Sequence, residues 1–359
     1  MIKKQGYIST FQLYGMFYIF RTVGTFTYML RLRAPLSASD RAIVAIFCFL
    51  FLTVFSAPVF LCIRKAGNSG FLNLSSTISP LYAKALSIFY ALSFLWAAAV
   101  VAARFSLFSG IVLLQQENLN IFLFVLLAVS IYCASKGLEP LARTSMIMAV
   151  ILLISLFLMT VAASKDFNPI YLSLPLQNGM QPVILQGFYS ACRTVELTAL
   201  LFIAPKTSGA LQKGFFIWIA VFCVQFALLF LAVGAIAGDY GELQMFPLYT
   251  LASLAKIGIL ERMDDLLTGI WVICAMLKTA FLMHTSVSVI EQGFNIKKKQ
   301  YFLPLCGAAV FIGNLFLSQN IEFFGRFIAS PVNPVLFIAS AVVIPLVTYT
   351  VHKTKIRKK

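Results

Sequence analysis

Residues 190–202 read SACRTVELTALLF, a run apolar enough for hydrocarbon that nevertheless carries a base, Arg193, and an acid, Glu196. A charge at the centre of a bilayer costs about 2.5–3.5 kcal/mol on insertion scales, so a chain that keeps one there turns it toward protein, water or a ligand. The stretch poses two linked questions: does it cross a membrane, and what do its charges face?

Composition answers the first. The chain has 359 residues, 60% of them hydrophobic and only 11% charged, with a mean hydropathy of +0.92. A soluble domain lacks the interior to hide that much apolar surface. Its apolar runs reach the roughly 20 residues that a helix needs to cross about 30 Å of hydrocarbon. Strict period-2 alternation is absent, which argues against a transmembrane barrel. The expected fold is an all-α polytopic membrane protein. The net charge of +16 then reads as basic loops on a cytoplasmic face rather than as a nucleic-acid surface. All seven cysteines, Cys48, Cys62, Cys133, Cys192, Cys223, Cys274 and Cys306, fall in apolar runs without metal-ligand spacing; they read as small hydrophobes. The basic start MIKK lacks a small-residue cleavage site after it, and reads as the lead into a retained first helix.

Ten spans are expected, at about 11–31, 41–63, 83–113, 119–135, 144–163, 183–204, 214–237, 266–291, 301–318 and 333–352. The segment at about 247–260, FPLYTLASLAKIGI, is short and carries a lysine, and is expected to lie along the surface or re-enter. With the N-terminus inside, sixteen basic residues fall in cytoplasmic segments: Lys3, Lys4, Arg64, Lys65, Lys136, Arg143, Lys206, Lys213, Lys297, Lys298, Lys299, Lys353, Lys355, Arg357, Lys358 and Lys359. Seven fall outside, namely Arg31, Arg33, Arg41, Lys165, Lys256, Arg262 and Arg326. That imbalance places both termini in the cytoplasm, with the acidic loop around Asp239, Glu242, Glu261, Asp264 and Asp265 outside. No Gly-rich phosphate loop, nucleophile elbow, zinc motif or paired carboxylates appear, so no enzyme, metal or cofactor is expected.

Ten spans divide five and five: a first half, 1–163; a second, 164–352, with its outer loop at 238–265; and a basic tail, 353–359. An odd number per half inverts the second against the first. Transporters built this way hold substrate near the midplane, where corresponding helices are interrupted. Span one reads YGMFYIFRTVGTF and span six QGFYSACRTVELT. Gly15 and Gly187 each precede an arginine by six residues, and each arginine, Arg21 or Arg193, opens an RTV tripeptide near mid-membrane. With Lys278 in span eight there are three midplane cations against Glu196, an excess of two that suits an anionic guest such as a carboxylate. The expected ligand-binding residues are Arg21, Gly24, Thr25, Tyr189, Arg193 and Glu196; Glu196 and Lys278 form the expected ion or proton site. Arg193 and Glu196 read equally as a structural ion pair, because residues three apart share a face of a continuous helix. Lys278 reads either as a fixed cation in place of a metal ion or as a donor to carbonyls freed by a break. Arg104 is expected to snorkel outward, and His284 to be a packed histidine.

At these residues the chain resembles the spore germination permease family, the GerAB-type B subunits of nutrient germinant receptors, within the amino acid–polyamine–organocation superfamily. The likeness lies in GYISTFQLYGMFYIF at the start and in TVELTALLFIAP, with Glu196 and Pro205. It is most specific in FPLYTLASLAKIGILERMDDLLTGIWVICAMLKTAF, with Glu261, Arg262 and Trp271. The resemblance implies a LeuT-like 5+5 inverted repeat in the inner membrane of a dormant spore, binding a small nutrient, an amino acid above all, between broken spans one and six. It implies an A-type membrane subunit and a C-type lipoprotein as partners. The family is richer in glycine where this chain has Arg21. A proton-coupled amino acid transporter and an anchoring subunit without ligand are the competing readings. The latter expects Arg193 and Glu196 to satisfy only each other, with no cavity around them.

Overall fold

A computed structural model describes residues 8–27, 36–113, 119–172, 174–255, 263–296 and 301–357. Nearly all of it is helix: α1 (Thr10–Phe26), α2 (Ala38–Ala66), α3 (Phe71–Ser76), α4 (Pro80–Phe108), α5 (Leu119–Lys136), α6 (Leu138–Ala163), α7 (Met180–Cys192), α8 (Val195–Ile203), α9 (Leu211–Leu243), α10 (Pro247–Leu254), α11 (Met263–Phe294), α12 (Phe302–Leu317), α13 (Ile321–Ala329), α14 (Val332–Ile338) and α15 (Ile344–Arg357). Over the described residues, the expected spans overlap these helices.

Seven helical stretches among the described residues are long and apolar enough to cross a bilayer. The α12–α13 pair, bent by 103°, makes an eighth if counted as one span. Helices α1 and α5 are shorter, at 17 and 18 residues. Outward faces carry side chains suited to lipid, among them Val54, Phe124, Phe157, Val224 and Leu305, each more than half exposed. The chain is therefore a multi-pass, all-α membrane protein. Within segment 247–260 the described residues form the eight-residue α10, with Leu248, Leu251 and Ala252 buried in the core, and residues 256–260 lie outside the described residues. The Glu261–Arg262 pair and Lys297 to Lys299 lie outside the described residues.

Local chemistry explains the helix ends. Ser9 and Gln12 form a capping box at the start of α1, and Ser37 and Asp40 form another at α2, each meeting backbone N–H groups that lack helical partners. Gly238, at φ 51°, turns the end of α9 where a side chain would strain. At one end of the bundle the strands β1 (Ile8–Ser9) and β2 (Thr207–Ser208) pair in parallel. At an end of the chain, Lys355 donates to the carbonyls of Thr77 and Ile78.

A break separates α7 from α8. Arg193 and Thr194 leave the helical path, at φ/ψ of −86°/5° and −92°/69°. Neither glycine nor proline lies at the break; its cause is tertiary. The carbonyl of Ser190, which a continuous helix would offer to the Thr194 N–H, receives the Arg21 guanidinium at 2.6 Å and the Arg193 N–H at 3.3 Å, while the Thr194 N–H turns to Ala191 at 3.1 Å.

Span one, expected to be broken, is continuous from Thr10 to Phe26. The hydroxyls of Thr22, Thr25 and Thr27 bond back to the carbonyls of Tyr18, Arg21 and Val23. Three side chains from other helices reach the same turns. Lys278 Nζ donates to Phe20 O at 2.8 Å, Trp271 Nε1 to Val23 O at 3.1 Å and Arg104 Nη1 to Gly24 O at 3.0 Å. Carbonyls so well supplied give the helix no reason to open there.

Candidate functional site

A cavity of about 150 Å³ lies against the span-six break, walled by α1, α4, α7, α8, α9, α11, α13 and α14. Of the expected residues, Arg21, Gly24, Thr25, Arg193 and Lys278 line it; Tyr189 and Glu196 do not. Tyr189 is half-buried on α7, with its ring edge-on to Phe188 at 5.9 Å. Thr25 uses its hydroxyl within its own helix. Gly24 supplies room beside Arg104, since a Cβ there would stand 3.8 Å from Nη1.

Arg21 is held on several sides. It is 8% exposed, donates to both the carbonyl and the hydroxyl of Ser190 at 2.6 and 3.1 Å, and stacks over Phe222 with its guanidinium carbon 5.0 Å from the ring centre. A cation at the last turn of α7 meets carbonyls that have lost helical partners. Its Nε has no acceptor among the described residues.

Glu196 does not pair with Arg193. The three-residue spacing puts both on one face only if the helix runs through, and the break comes between them. Fully buried in the first turn of α8, Glu196 accepts Lys278 Nζ on Oε1 at 2.8 Å; its Oε2 has no donor among the described residues. Lys278 thus bridges a carboxylate and the Phe20 carbonyl, which joins span eight to spans one and six. A negative group at a helix N-terminus and a cation against the last turns of another are both favourable placements. Arg104 turns inward to Gly24 rather than outward to the interface, because its position on α4 faces span one. His284 is packed, with Nδ1 3.0 Å from the carbonyl of Ala134.

The sequence reading missed much of the wall. Trp96 and Ser93 come from α4, Phe222 and Phe226 from α9, Ile328 from α13, and Asn333, Leu336, Phe337 and Ser340 from the segment around α14. No local signal separates these from the apolar residues on either side of them. Trp96 Nε1 and Asn333 Nδ2 are buried without a partner among the described residues. The result is a pocket with aromatic and aliphatic sides and several cationic side chains in its lining. Such a pocket suits a small solute with an anionic or carbonyl end and an apolar body. Among the described residues, no group of His, Cys, Asp and Glu is placed to hold a metal ion.

A family model described as spore germination protein matches residues 7–323. No curated protein sequence matches the chain significantly. Among solved structures the chain is similar to Mhp1, a nucleobase-cation-symport-1 family transporter, in a closed conformation with bromovinylhydantoin bound. The two are 12% identical, with a TM-score of 0.47, over 94% of this chain and 78% of that one.

Proposed function

The chain belongs to the spore germination protein family, and from that premise we propose that it is the membrane-embedded, nutrient-sensing subunit of a germinant receptor. The solute sits in the cavity at the span-six break. One observation carries this reading: Arg21 from α1, Arg193 from the break between α7 and α8, and Lys278 from α11 line one otherwise largely apolar space. Cations that far into a membrane protein favour an anionic partner. The carboxylate of a nutrient fills that role, and the family resemblance makes the nutrient an amino acid. Binding acts by favouring one packing of α7–α8 against α1 and α11 over another, and that preference is passed to A-type and lipoprotein partners. No covalent chemistry belongs to this reading. Both termini face the cytoplasm of the spore inner membrane, in keeping with the basic loops and with the contacts of β1 with β2 and of Lys355 with Thr77.

The test is the germination response of spores to a nutrient panel, followed by loss of refractility, with wild-type protein beside Arg193→Ala at equal abundance. A response to some nutrient that the variant loses supports the reading. An unchanged response across the panel overturns it.

Proton-coupled transport on the same scaffold is the second reading. It is favoured by the buried Glu196–Lys278 pair, whose second carboxylate oxygen lacks a donor among the described residues, since intramembrane acids commonly relay protons. Uptake of solute into liposomes driven by a pH gradient separates it from the receptor reading.

A further inference from the structure

The side chains around the cavity differ by the element that brings them. The cations Arg21, Arg193 and Lys278 come from α1, the span-six break and α11, and Arg104 of α4 turns to the Gly24 carbonyl of α1. Trp96, Ala97 and Val100 come from α4, Ile328 from α13, and Leu336 and Phe337 from α14. This second wall is hydrocarbon and aromatic, with one amide, Asn333 of α14, among its neighbours in sequence. Ser93 of α4 spends its hydroxyl on the Phe89 carbonyl at 2.8 Å.

Volume and charge limit what can lie there. The cavity holds about 150 Å³, and an apolar cavity of about that volume takes in benzene. Among the described residues, four cations and no acid line it; Glu196, outside the lining, is bonded to Lys278. A basic side chain on the guest would therefore meet like charge. A polar one set against Trp96, Leu336 and Phe337 would give up more water than those side chains can replace.

Ile328 is what α13 contributes to the lining. It is 6% exposed and packs with Ala99, Ala103, Leu317 and Phe324 in a small apolar cluster separate from the main core. Ala97, Ala99 and Ala103 of α4 are too short to fill the space that a smaller residue than Ile328 would leave, and Trp96 is held edge-on by Phe327 at 5.3 Å. Space lost from Ile328 thus joins the cavity.

We propose that the wall of α4, α13 and α14 is the subsite for the ligand's side chain, that it selects an uncharged hydrocarbon or phenyl group, and that Ile328 sets the largest size admitted. The proposal rests on the reading of this cavity as the ligand site. It narrows the amino acid of that reading to an apolar one with a side chain up to about phenyl size.

Calorimetry on the purified full chain in nanodiscs tests it. Leucine is set against asparagine and norleucine against lysine, pairs close in shape that differ in polarity or charge. Alanine, leucine, phenylalanine and tryptophan give a size series, with Ile328→Ala, Ile328→Val and Phe323→Ala in parallel. Phe323 lies on α13 outside the lining, its ring edge-on to Phe316 at 5.5 Å. Leucine and norleucine are expected to bind about tenfold or more tightly than asparagine and lysine, and alanine about tenfold more weakly than leucine. Ile328→Ala raises the affinity for tryptophan relative to leucine by about tenfold, and Ile328→Val by less. Phe323→Ala leaves that ratio unchanged, which separates a local size limit from a loosened α13. Equal or tighter binding of asparagine or lysine overturns the apolar subsite. A tryptophan-to-leucine ratio that neither Ile328 variant moves, or that Phe323→Ala moves as much, overturns the role of Ile328. In either case Arg193→Ala reports on the ligand-site reading separately: that reading stands if the substitution abolishes the binding seen, and falls if it does not. If no amino acid of the series binds wild-type protein that still unfolds in a sharp transition, the proposal and the ligand-site reading fall together.

Discussion

Lys278 Nζ lies 2.8 Å from Oε1 of Glu196, so the middle of α11 is tied to the first turn of α8 across the break in span six. Both side chains are almost fully buried. A pair this deep gains stability only while both partners are present, because either charge alone is stranded away from water. Glu196→Gln or Lys278→Met alone is expected to cost about 3–5 kcal/mol of stability, and the double substitution less than the sum of the two. Unfolding in mixed detergent measures all three. Costs that simply add would show that the pair is not coupled.

Trp271 is held in two ways that substitution can separate. Its indole N–H donates to Val23 O at 3.1 Å, while its rings pack on Phe26, Phe105 and Phe108 with centroids 6.2, 6.0 and 4.7 Å away. Trp271→Phe keeps most of the packing and is expected to cost about 1 kcal/mol, from the lost hydrogen bond. Trp271→Ala loses both and is expected to cost about 3–5 kcal/mol. Equal costs for the two in thermal unfolding would mean that the hydrogen bond, not the packing, holds span eight to span one.

Close approach of α7 to α2 depends on Gly187. A Cβ there would meet the Cβ of Phe47 at 2.5 Å and the backbone nitrogen of Cys48 at 3.3 Å. Gly187→Ala is expected to destabilise by about 1–3 kcal/mol, since well-packed helices must move apart to admit it. Gly269→Ala on α11 is the control, because nothing lies within 4 Å of the added carbon. Matched melting curves should separate the two. A neutral Gly187→Ala would place the tight contact elsewhere.

Span positions were legible because hydrocarbon imposes one demand, a long apolar run, that every crossing must meet. Arg21, Arg193 and Lys278 were legible as a group because charge in such a run has few explanations. Pairing was not. The spacing of Arg193 and Glu196 implies a shared face only on an unbroken helix, and at the break Arg21 reaches the Ser190 carbonyl from span one. A tertiary contact of that kind leaves no mark on the local sequence. The family resemblance in turn implied a broken span one, whereas threonine hydroxyls and three incoming donors keep it wound. Trp96, Phe222, Phe226 and Phe337 are indistinguishable in sequence from lipid-facing neighbours, and only the folding of eight helices around one space selects them. Helix α13 carried a signal that could have been used. Asn320 caps it through its side chain, and its apolar positions Phe324 and Ile328 are four apart on one face.

The central claim is that the space at the span-six break holds the ligand. The most direct measurement is a structure of the full chain with a bound amino acid whose apolar side chain carries bromine, so that its anomalous signal marks its place. The account predicts one bromine peak inside the cavity, against Ile328 and Phe337, with the carboxylate within hydrogen-bond reach of Arg21. A peak anywhere else, with this cavity unchanged by saturating ligand, would contradict it.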